Sequence, residues 1–487
     1  MSASGSLFKA SRVFRPVGAA GRPVFRQDCA GYAMFYAPGC LCVIDLPGAD
    51  RFEAAIAPPG GRKGQGRGVD WAAELWRRAE WALAQAGRWQ QDPFRPECLT
   101  LYLNNECNLR CGYCYADPSP GPAARLELEV VAAAAQMVAE NCRHKGRPFY
   151  AVFHGGGEPT LHRGQVDETI ACLEKVASAH GVELFCYVAT NGVMSEQKAR
   201  WLAQRFDLVG LSCDGPAGVQ DRQRPLRDAG PSSPLVERTG HILREEGCRF
   251  HVRTTITGAT SDRQAEIADY LCRQFSPQEI HFEPVYAGGR ATPATGLAAS
   301  QAEAFVTHFL AAQEVAREHG VPLTTSGSRP GSIHGPYCHV FRAVLNLVPG
   351  GVATACFKLS DAARAVEKGA AIGALNRDTG RFEIDTLRVR ALRRQLAALP
   401  AQCAGCFNRY HCARECPDLC PLDDGACPGG DPPSPGFRCR VQKALAWATL
   451  QETAGRLWEA ALAEKAGGKG GNTGDESCGI ICGTTVL

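Results

Sequence analysis

The sequence contains no uninterrupted apolar run of about 18 residues, the length a membrane-spanning helix needs, so no helical span is expected. Charge of one sign is scarce as well. Lys plus Arg number 53 and Asp plus Glu number 50, a formal net charge of +3 on 487 residues. That balance gives no electrostatic reason to expect a nucleic-acid or membrane partner. The N-terminus also lacks the apolar stretch of about 7–15 residues and the small-residue cleavage site that mark a secreted chain. What the sequence has in excess is cysteine, 24 residues of it. Without a secretory signal the thiols are expected to be reduced and the protein cytoplasmic, and clustered thiols there point to metal rather than to disulfides.

One feature loosely resembles an organelle transit peptide: residues 1–27 carry Lys9, Arg12, Arg15, Arg22 and Arg26 and no acid. Residues 1–95 otherwise read as a few β-like runs, a surface loop from Pro58 to Gly68, and an amphipathic helix from about Asp70 to Ala86, capped by Asp70 and ended by Gly87. From residue 99 to about 284 short β-rich runs alternate with helical patterns. The expected strands are 99–103, 149–153, 182–189, 208–213, 250–256 and 280–284. Helices are expected from Leu126 to Cys142, from Val166 to His180 and from Ser195 to Phe206, with Gly146 and Gly181 ending the first two. Repeated βα units imply a parallel sheet, and six of them an open, partial barrel whose active face lies at the C-terminal strand ends. After residue 325 the alternation stops and Cys, Gly and Pro rise, as expected of a small domain held by something other than a large apolar core. A last helix, about Val441 to Lys465, precedes the Gly-rich linker Gly467–Gly474 and a tail with Cys478 and Cys482.

Just after the first barrel strand come Cys107, Cys111 and Cys114 on one short loop. Three thiolates can wrap one corner of a cubic [4Fe–4S] cluster and leave the fourth iron open, whereas a structural zinc wants four ligands. The second strand runs into Gly155, Gly156, Gly157 and Glu158, where glycines let the backbone approach a ligand closely. Later strand ends add polar groups to the same rim: Asn191 after strand three, Ser212 to Pro216 after strand four, Arg253 on strand five and Glu283 on strand six.

With Tyr113 as the aromatic of a CxxxCxφC loop, followed by a GGE-type run after strand two, residues 97–285 resemble the radical S-adenosylmethionine (radical SAM) enzymes. The resemblance implies an α/β fold, a partial (β/α)6 barrel. It implies that Cys107, Cys111 and Cys114 hold a [4Fe–4S] cluster whose open iron chelates S-adenosylmethionine. Gly155, Gly156, Gly157 and Glu158 would contact the methionine part, Tyr113 would lie near the adenine, and Asn191, Ser212 and Arg253 would help hold the cofactor. The run at Ser212, with Asp221 and Arg224 beyond it, is also similar to the segment found in peptide-modifying and sulfatase-maturing members.

The second cysteine group contains Cys338, Gly351 and Cys356, then Cys403-x2-Cys406-x5-Cys412-x3-Cys416, and Cys439. It resembles the seven-cysteine SPASM pattern of radical enzymes with two auxiliary [4Fe–4S] clusters. By that resemblance Cys338, Cys356 and Cys416 hold the first, and Cys403, Cys406, Cys412 and Cys439 the second. Cys420 or Cys427 could complete the first set, or one iron could stay open. Two structural zinc sites are the competing reading. The remaining ten cysteines, Cys29 through Cys272, read as buried inert thiols, Cys213 on the active rim excepted.

The implied organisation is an N-terminal domain over 1–95, possible site of peptide recognition, a barrel over 96–325, a SPASM domain over 326–445, and a terminal helix and tail over 446–487. The implied activity is that of a peptide maturase: reductive cleavage of S-adenosylmethionine to a 5′-deoxyadenosyl radical and hydrogen abstraction from a peptide or protein, in the manner of ribosomal natural-product biosynthesis. The electron donor would be a flavodoxin or ferredoxin. A sulfatase-maturing enzyme that forms formylglycine shares these motifs, and a non-enzymatic iron–sulfur scaffold is the third reading. The tail is expected to be a disordered terminus or an appendage, with a substrate carried in cis as the alternative.

Overall fold

The structure is a computed structural model that describes residues 14–17, 22–56, 70–116, 124–292, 295–329, 332–398, 401–416, 418, 420 and 435–466. The expected loop Pro58–Gly68, Cys427, the linker Gly467–Gly474 and the tail with Cys478 and Cys482 lie outside the described residues, as do Lys9 and Arg12.

Six parallel strands form the expected partial barrel: β5 (Cys98–Leu101), β6 (Phe149–Phe153), β7 (Leu184–Thr190), β8 (Leu208–Ser212), β9 (Phe250–Ile256) and β10 (Ile280–Pro284), each hydrogen-bonded to the next in chain order. Alternation along the strands sets the two faces. On β6, Phe149, Ala151 and Phe153 are buried against the outer helices, while Val152 points to the barrel interior side and is only half-buried. The covering helices are α3 (Leu128–Lys145), α4 (Arg163–His180), α5 (Glu196–Arg205), α6 (Ala217–Gln223), α7 (Ser233–Glu245), α8 (Gln264–Phe275) and α9 (Ala302–Glu318). Gly146 and Gly181 close α3 and α4 in the left-handed conformation, with φ of 61° and 63°, as the sequence implied.

The sheet does not end with the barrel. β11 (Leu323–Thr324) pairs in parallel with β10, and β12 (Val344–Val348) pairs in parallel with β5 at the opposite edge. From β12 the sheet continues antiparallel through β13 (Val352–Thr354), β14 (Ala371–Asn376) and β15 (Arg381–Ile384). Between and after them lie α10 (Ala362–Glu367), α11 (Thr386–Ala397) and the long α12 (Phe437–Ala466). The expectation that this part lacks a share in a large apolar core is corrected. Leu345, Leu347, Ile372, Phe382, Val389 and Val441 belong to the same buried cluster as the barrel strands, because β12 completes the ladder of β5.

The N-terminal part holds a four-stranded antiparallel sheet, β1 (Arg15–Pro16), β2 (Phe25–Asp28), β3 (Tyr32–Ala37) and β4 (Cys40–Asp45), and two helices, α1 (Leu46–Ala55) and α2 (Trp71–Gln91). Asp70 caps α2 as expected, but the helix runs through Gly87 to Gln91. An isolated glycine weakens a helix by about 1 kcal/mol and does not by itself end one. One face of the sheet packs Phe35 on Phe52, Leu75 and Trp76; the other packs Phe25 and Tyr36 against Phe407 and Trp447. Phe14 meets the Phe407 and Trp447 rings edge-on at 5.1 and 5.2 Å between centroids.

Trp447 is fully buried at this junction. Trp447→Ala should therefore cost about 3–5 kcal/mol, read as a lowered denaturant midpoint of the anaerobically purified protein.

Candidate active site

The loop bearing Cys107, Cys111 and Cys114 leaves β5 at the C-terminal edge of the barrel. Its first residues are held by the glycine run that follows β6. The Gly157 N–H donates to the Asn104 carbonyl at 3.0 Å, and the Glu158 N–H donates to the Glu106 carbonyl at 2.7 Å. A Cβ on Gly156 would lie 2.7 Å from the Asn104 oxygen, and one on Gly157 only 1.8 Å from the Glu106 oxygen. Gly155 and Gly156 also have φ of +54° and +73°. The close approach that these glycines permit is made to the cysteine loop itself.

Glu158 is 4% exposed, and both of its oxygens are filled from within the protein. Oε1 accepts from the Thr160 N–H, the Thr160 hydroxyl and the Thr190 hydroxyl, at 3.1, 2.7 and 2.8 Å. Oε2 accepts from the Asn191 N–H at 2.7 Å. The ends of β6 and β7 are thereby locked together. The Asn191 amide then reaches the loop, donating to Asn108 Oδ1 at 2.8 Å and to Cys107 Sγ at 3.7 Å. Cys107 Sγ also accepts from the Leu109 N–H at 3.5 Å. Burial pushes the Cys107 thiol up to about 11 and the Cys111 thiol up to about 12.

A second buried carboxylate, Asp214, organises the other side of the loop. Its oxygens accept from the Thr255 N–H at 2.9 Å, the Gln223 amide at 2.8 Å and the Tyr113 hydroxyl at 2.5 Å, and pair with Arg224 at 3.1 Å. The Arg224 guanidinium lies over the Tyr113 ring, 5.4 Å from its centre. Tyr113 is thus fixed on the rim by the strand-four end. Asp221, in contrast, accepts from the N–H groups of Ser232 and Ser233 at the start of α7, a structural duty.

Ser212 and Arg253 are register partners on β8 and β9. The charge on Arg253 survives enclosure because Tyr187, Tyr286 and Glu283 outweigh burial, raising its pKa. Glu283 is opposed by burial but held down to about 2 by a hydrogen bond from His281 and by the charge of Arg438. Arg438, 2% exposed, donates to Glu283 at 2.9 Å, to Asp418 at 2.7 Å, and to the carbonyls of Pro284 and Val285.

The C-terminal cysteines gather into two sets, each around a gap. One gap of about 30 Å³ is lined by Cys403, Cys406, Cys412 and Cys439 together with Arg409, Arg414 and Lys443. The other, about 10 Å³, is lined by Cys338, Cys356, Cys416 and Cys420. Cys420 is therefore the residue placed with the first set, the one alternative of the sequence reading that falls on a described residue. Among the described residues no group of three or more His, Cys, Asp or Glu could hold a single metal ion. Four thiols spread around a gap, with no three converging on one point, suit the corners of a cube better than a tetrahedral zinc.

An aromatic wall joins the Cys107–Cys114 loop to the first of these sets. Tyr115, next to Cys114, meets Phe357, next to Cys356, at 5.6 Å between ring centres. Phe357 also meets Tyr286 at 5.8 Å and Tyr337, next to Cys338, at 6.2 Å. The Tyr102 hydroxyl donates to the Phe357 carbonyl at 2.6 Å. Sequence reasoning placed Asp214 on the rim within the run from Ser212 to Pro216 without giving it a role, and did not single out Gln223, Tyr102, Tyr115, Phe357 or Arg438 as site residues. The only available signal was that four of them adjoin motif residues in the chain.

Residues 101–271 match the model of the radical SAM superfamily. The chain is 22% identical over 167 residues to a cysteine-type anaerobic sulfatase-maturating enzyme of Clostridium perfringens, covering 34% of this chain and 45% of the relative. It is 31% identical over 129 residues to a GTP 3′,8-cyclase of Haemophilus influenzae, covering 25% and 35%. The chain thus spans about half the length, or less, of these curated relatives. In fold it is similar to native anSMEcpe with bound AdoMet, with a TM-score of 0.57 at 16% identity over 74% of this chain and 99% of that one. The same enzyme solved with AdoMet and a peptide bound aligns equally well, with a TM-score of 0.57 at 17% identity, covering 74% and 98%.

Glu158→Gln should cost about 1–3 kcal/mol, because an amide nitrogen is forced against hydrogen-bond donors, and should lower the iron retained by the Cys107–Cys114 loop; unfolding and iron analysis of the variant test both. Acid should also weaken the fold. Burial, foremost, lowers His154 to about 3 and His251 and His334 to about 4. Their ordinary value is about 6.5, so these imidazoles bind protons when unfolded that they refuse when folded. Their contribution is complete above pH 6.5 and falls as the pH drops toward 4. Denaturant midpoints at pH 7.5, 6.0 and 5.0 should decline in that order, and flat midpoints would contradict neutral burial.

Proposed function

We propose, from the premise that this chain carries a radical SAM domain over residues 101–271, that it is a peptide- or protein-modifying radical enzyme. One observation carries the reading. The three-cysteine loop and a four-cysteine set stand at the same end of one barrel, joined by the ring contacts of Tyr115, Phe357 and Tyr337.

In this reading Cys107, Cys111 and Cys114 hold a [4Fe–4S] cluster with one open iron. When bound, that cluster supplies the electron that cleaves the sulfonium of S-adenosylmethionine and yields a 5′-deoxyadenosyl radical. The chain's own residues do the rest. Glu158 and Asn191 fix the loop against the strand ends, so that the glycine run and the loop present one continuous backbone edge to the methionine part. Ser212 and Arg253 face the cofactor from the neighbouring strands, where the guanidinium suits a carboxylate. Tyr113, immobilised by Asp214 and Arg224, bounds the nucleoside side. Tyr115, Tyr286, Tyr337 and Phe357 pack together between the loop and the set at Cys338, walling that side of the site. Cys338, Cys356, Cys416 and Cys420 would hold one auxiliary cluster, and Cys403, Cys406, Cys412 and Cys439 the other.

A peptide substrate is supported by the likeness in fold to anSMEcpe, which has been solved with a peptide bound. The similarity to a sulfatase-maturating enzyme keeps formylglycine formation as the second reading. Mass spectrometry of products from a peptide panel separates them: an aldehyde formed from serine by loss of two hydrogens, or from cysteine by the same loss with sulfur leaving as hydrogen sulfide and oxygen entering from water, identifies the second alone. The electron donor in either reading is a flavodoxin or ferredoxin.

Anaerobically reconstituted protein given S-adenosylmethionine and dithionite should form 5′-deoxyadenosine, and Cys111→Ala should reduce it to background. No product from protein with intact clusters, with the peptide panel present, would count against the radical reading.

A further inference from the structure

We infer that the face formed by α11 and the Cys403–Cys412 loop is the docking surface for a small acidic one-electron carrier protein. The inference rests on the iron–sulfur reading of the second cysteine set and adds to it the place where a redox partner binds.

Charge is distributed unevenly on this otherwise balanced chain. Residues 386–414 contain Arg388, Arg390, Arg393, Arg394, Arg409 and Arg414 and not one Asp or Glu. Arg393 is buried, donating to the carbonyls of Val340 and Asp92, and so serves the fold. Arg388, Arg390 and Arg394 are exposed on α11, and among the described residues neither Arg390 nor Arg394 has a carboxylate partner. Leu387, at the start of the same helix, is 75% exposed, more than any other large apolar side chain described. A basic field around an uncovered apolar residue is what an acidic protein with an apolar contact patch would recognise.

The same face is tied to the second cysteine set. Arg414, which lines that gap, donates to the carbonyl of Ala397 at the end of α11, at 3.2 Å. At a rise of about 1.5 Å per residue, Arg394 lies about 5 Å and Arg390 about 10 Å along the axis from that carbonyl. Arg394 is within the Debye length of about 8 Å at physiological salt, and Arg390 lies only slightly beyond it. Arg409 donates to the Ala404 carbonyl at 2.5 Å and so braces the loop between Cys403 and Cys406, whose residues Gln402, Ala404 and Gly405 are exposed. The charged groups at the gap are Arg409, Arg414 and Lys443 against the single carboxylate Glu415, which is buried and turned to the Gly436 N–H. The set at Cys338 is more enclosed: three of its four cysteines, Cys338, Cys416 and Cys420, are buried, and Tyr337 and Phe357 line it. A carrier seated on α11 therefore meets the second set first. One electron leaves the reduced carrier and enters the centre held by Cys403, Cys406, Cys412 and Cys439; the carrier is oxidised and the centre reduced by one electron each.

The test uses the reconstituted holoprotein and a purified bacterial flavodoxin. Binding is measured by titration calorimetry at about 50 and about 200 mM salt, a range over which surface electrostatics is strongly screened. The wild type should bind at low salt and weaken severalfold at high salt. R390E/R394E should bind at least tenfold more weakly, whereas R244E/R249E, an equal charge change on exposed residues at the end of α7 and just before β9, four strands along the sheet from β5, should bind as the wild type does. 5′-Deoxyadenosine formation driven by dithionite, which needs no docking, should be the same in all three. Equal binding by R390E/R394E, equal loss in both variants, or no binding by the wild type would each overturn the docking surface. Absence of 5′-deoxyadenosine with dithionite would instead strike the radical reading and leave the binding result to stand on its own.

Discussion

The geometry of the site depends on one buried carboxylate. Glu158 receives four hydrogen bonds from Thr160, Thr190 and Asn191, and through Asn191 it holds the loop that carries Cys107. An ionised group taken out of water is costly unless its oxygens are filled, and here they are filled by groups from two strand ends and the turn between them. The cost of burial is thereby converted into rigidity at the loop that carries Cys107. A neutral residue could satisfy the same space but not four donors at once.

Asp214 repeats the device on the other flank. It draws together the cluster loop through Tyr113, the helix after β8 through Gln223 and Arg224, and β9 through the Thr255 N–H. Two carboxylates, each at a C-terminal strand end, thus pin a loop of eight residues from both sides. The glycines contribute by absence: a side chain on Gly157 would occupy the place of the Glu106 carbonyl. Gly157 is therefore required by the protein's own packing, whatever the backbone also offers a bound ligand.

Much of this arrangement was legible in the chain. Strand and helix periodicity located the six barrel strands to within a few residues, because β-branched and apolar alternation there is undisturbed and Gly146 and Gly181 mark the helix ends. The run Cys403-x2-Cys406-x5-Cys412-x3-Cys416 stood out locally, while the division of the C-terminal cysteines into two sets was implied by the family resemblance. What could not be read was long-range pairing. Nothing near Val344–Val348 announces that it lies beside Cys98–Leu101, some 245 residues earlier, and so the shared core of barrel and C-terminal part was missed. Nor does any local pattern say that Asp214 meets Tyr113, or that Cys420 joins Cys338. The extension of α2 through Gly87 is a different kind of miss, a tertiary packing gain that outweighs a modest local penalty.

The C-terminal part is positioned by the barrel as much as by its cysteines. Arg438 sits one residue before Cys439, nearly inaccessible to water, and its guanidinium grips the end of β10 through Glu283 and the carbonyls of Pro284 and Val285 while also pairing with Asp418. A buried arginine with all of these partners keeps its charge and its fork geometry, so the start of α12 cannot slide along the barrel rim without stranding a charge. Cys439 inherits that fixed position, and so does the gap it lines with Cys403, Cys406 and Cys412. The last barrel strand therefore sets where the outer thiolates stand, as the first strand, through Tyr102 and the Phe357 carbonyl, sets where the inner ones do. The two sets are held in register by the same barrel that presents Cys107, Cys111 and Cys114.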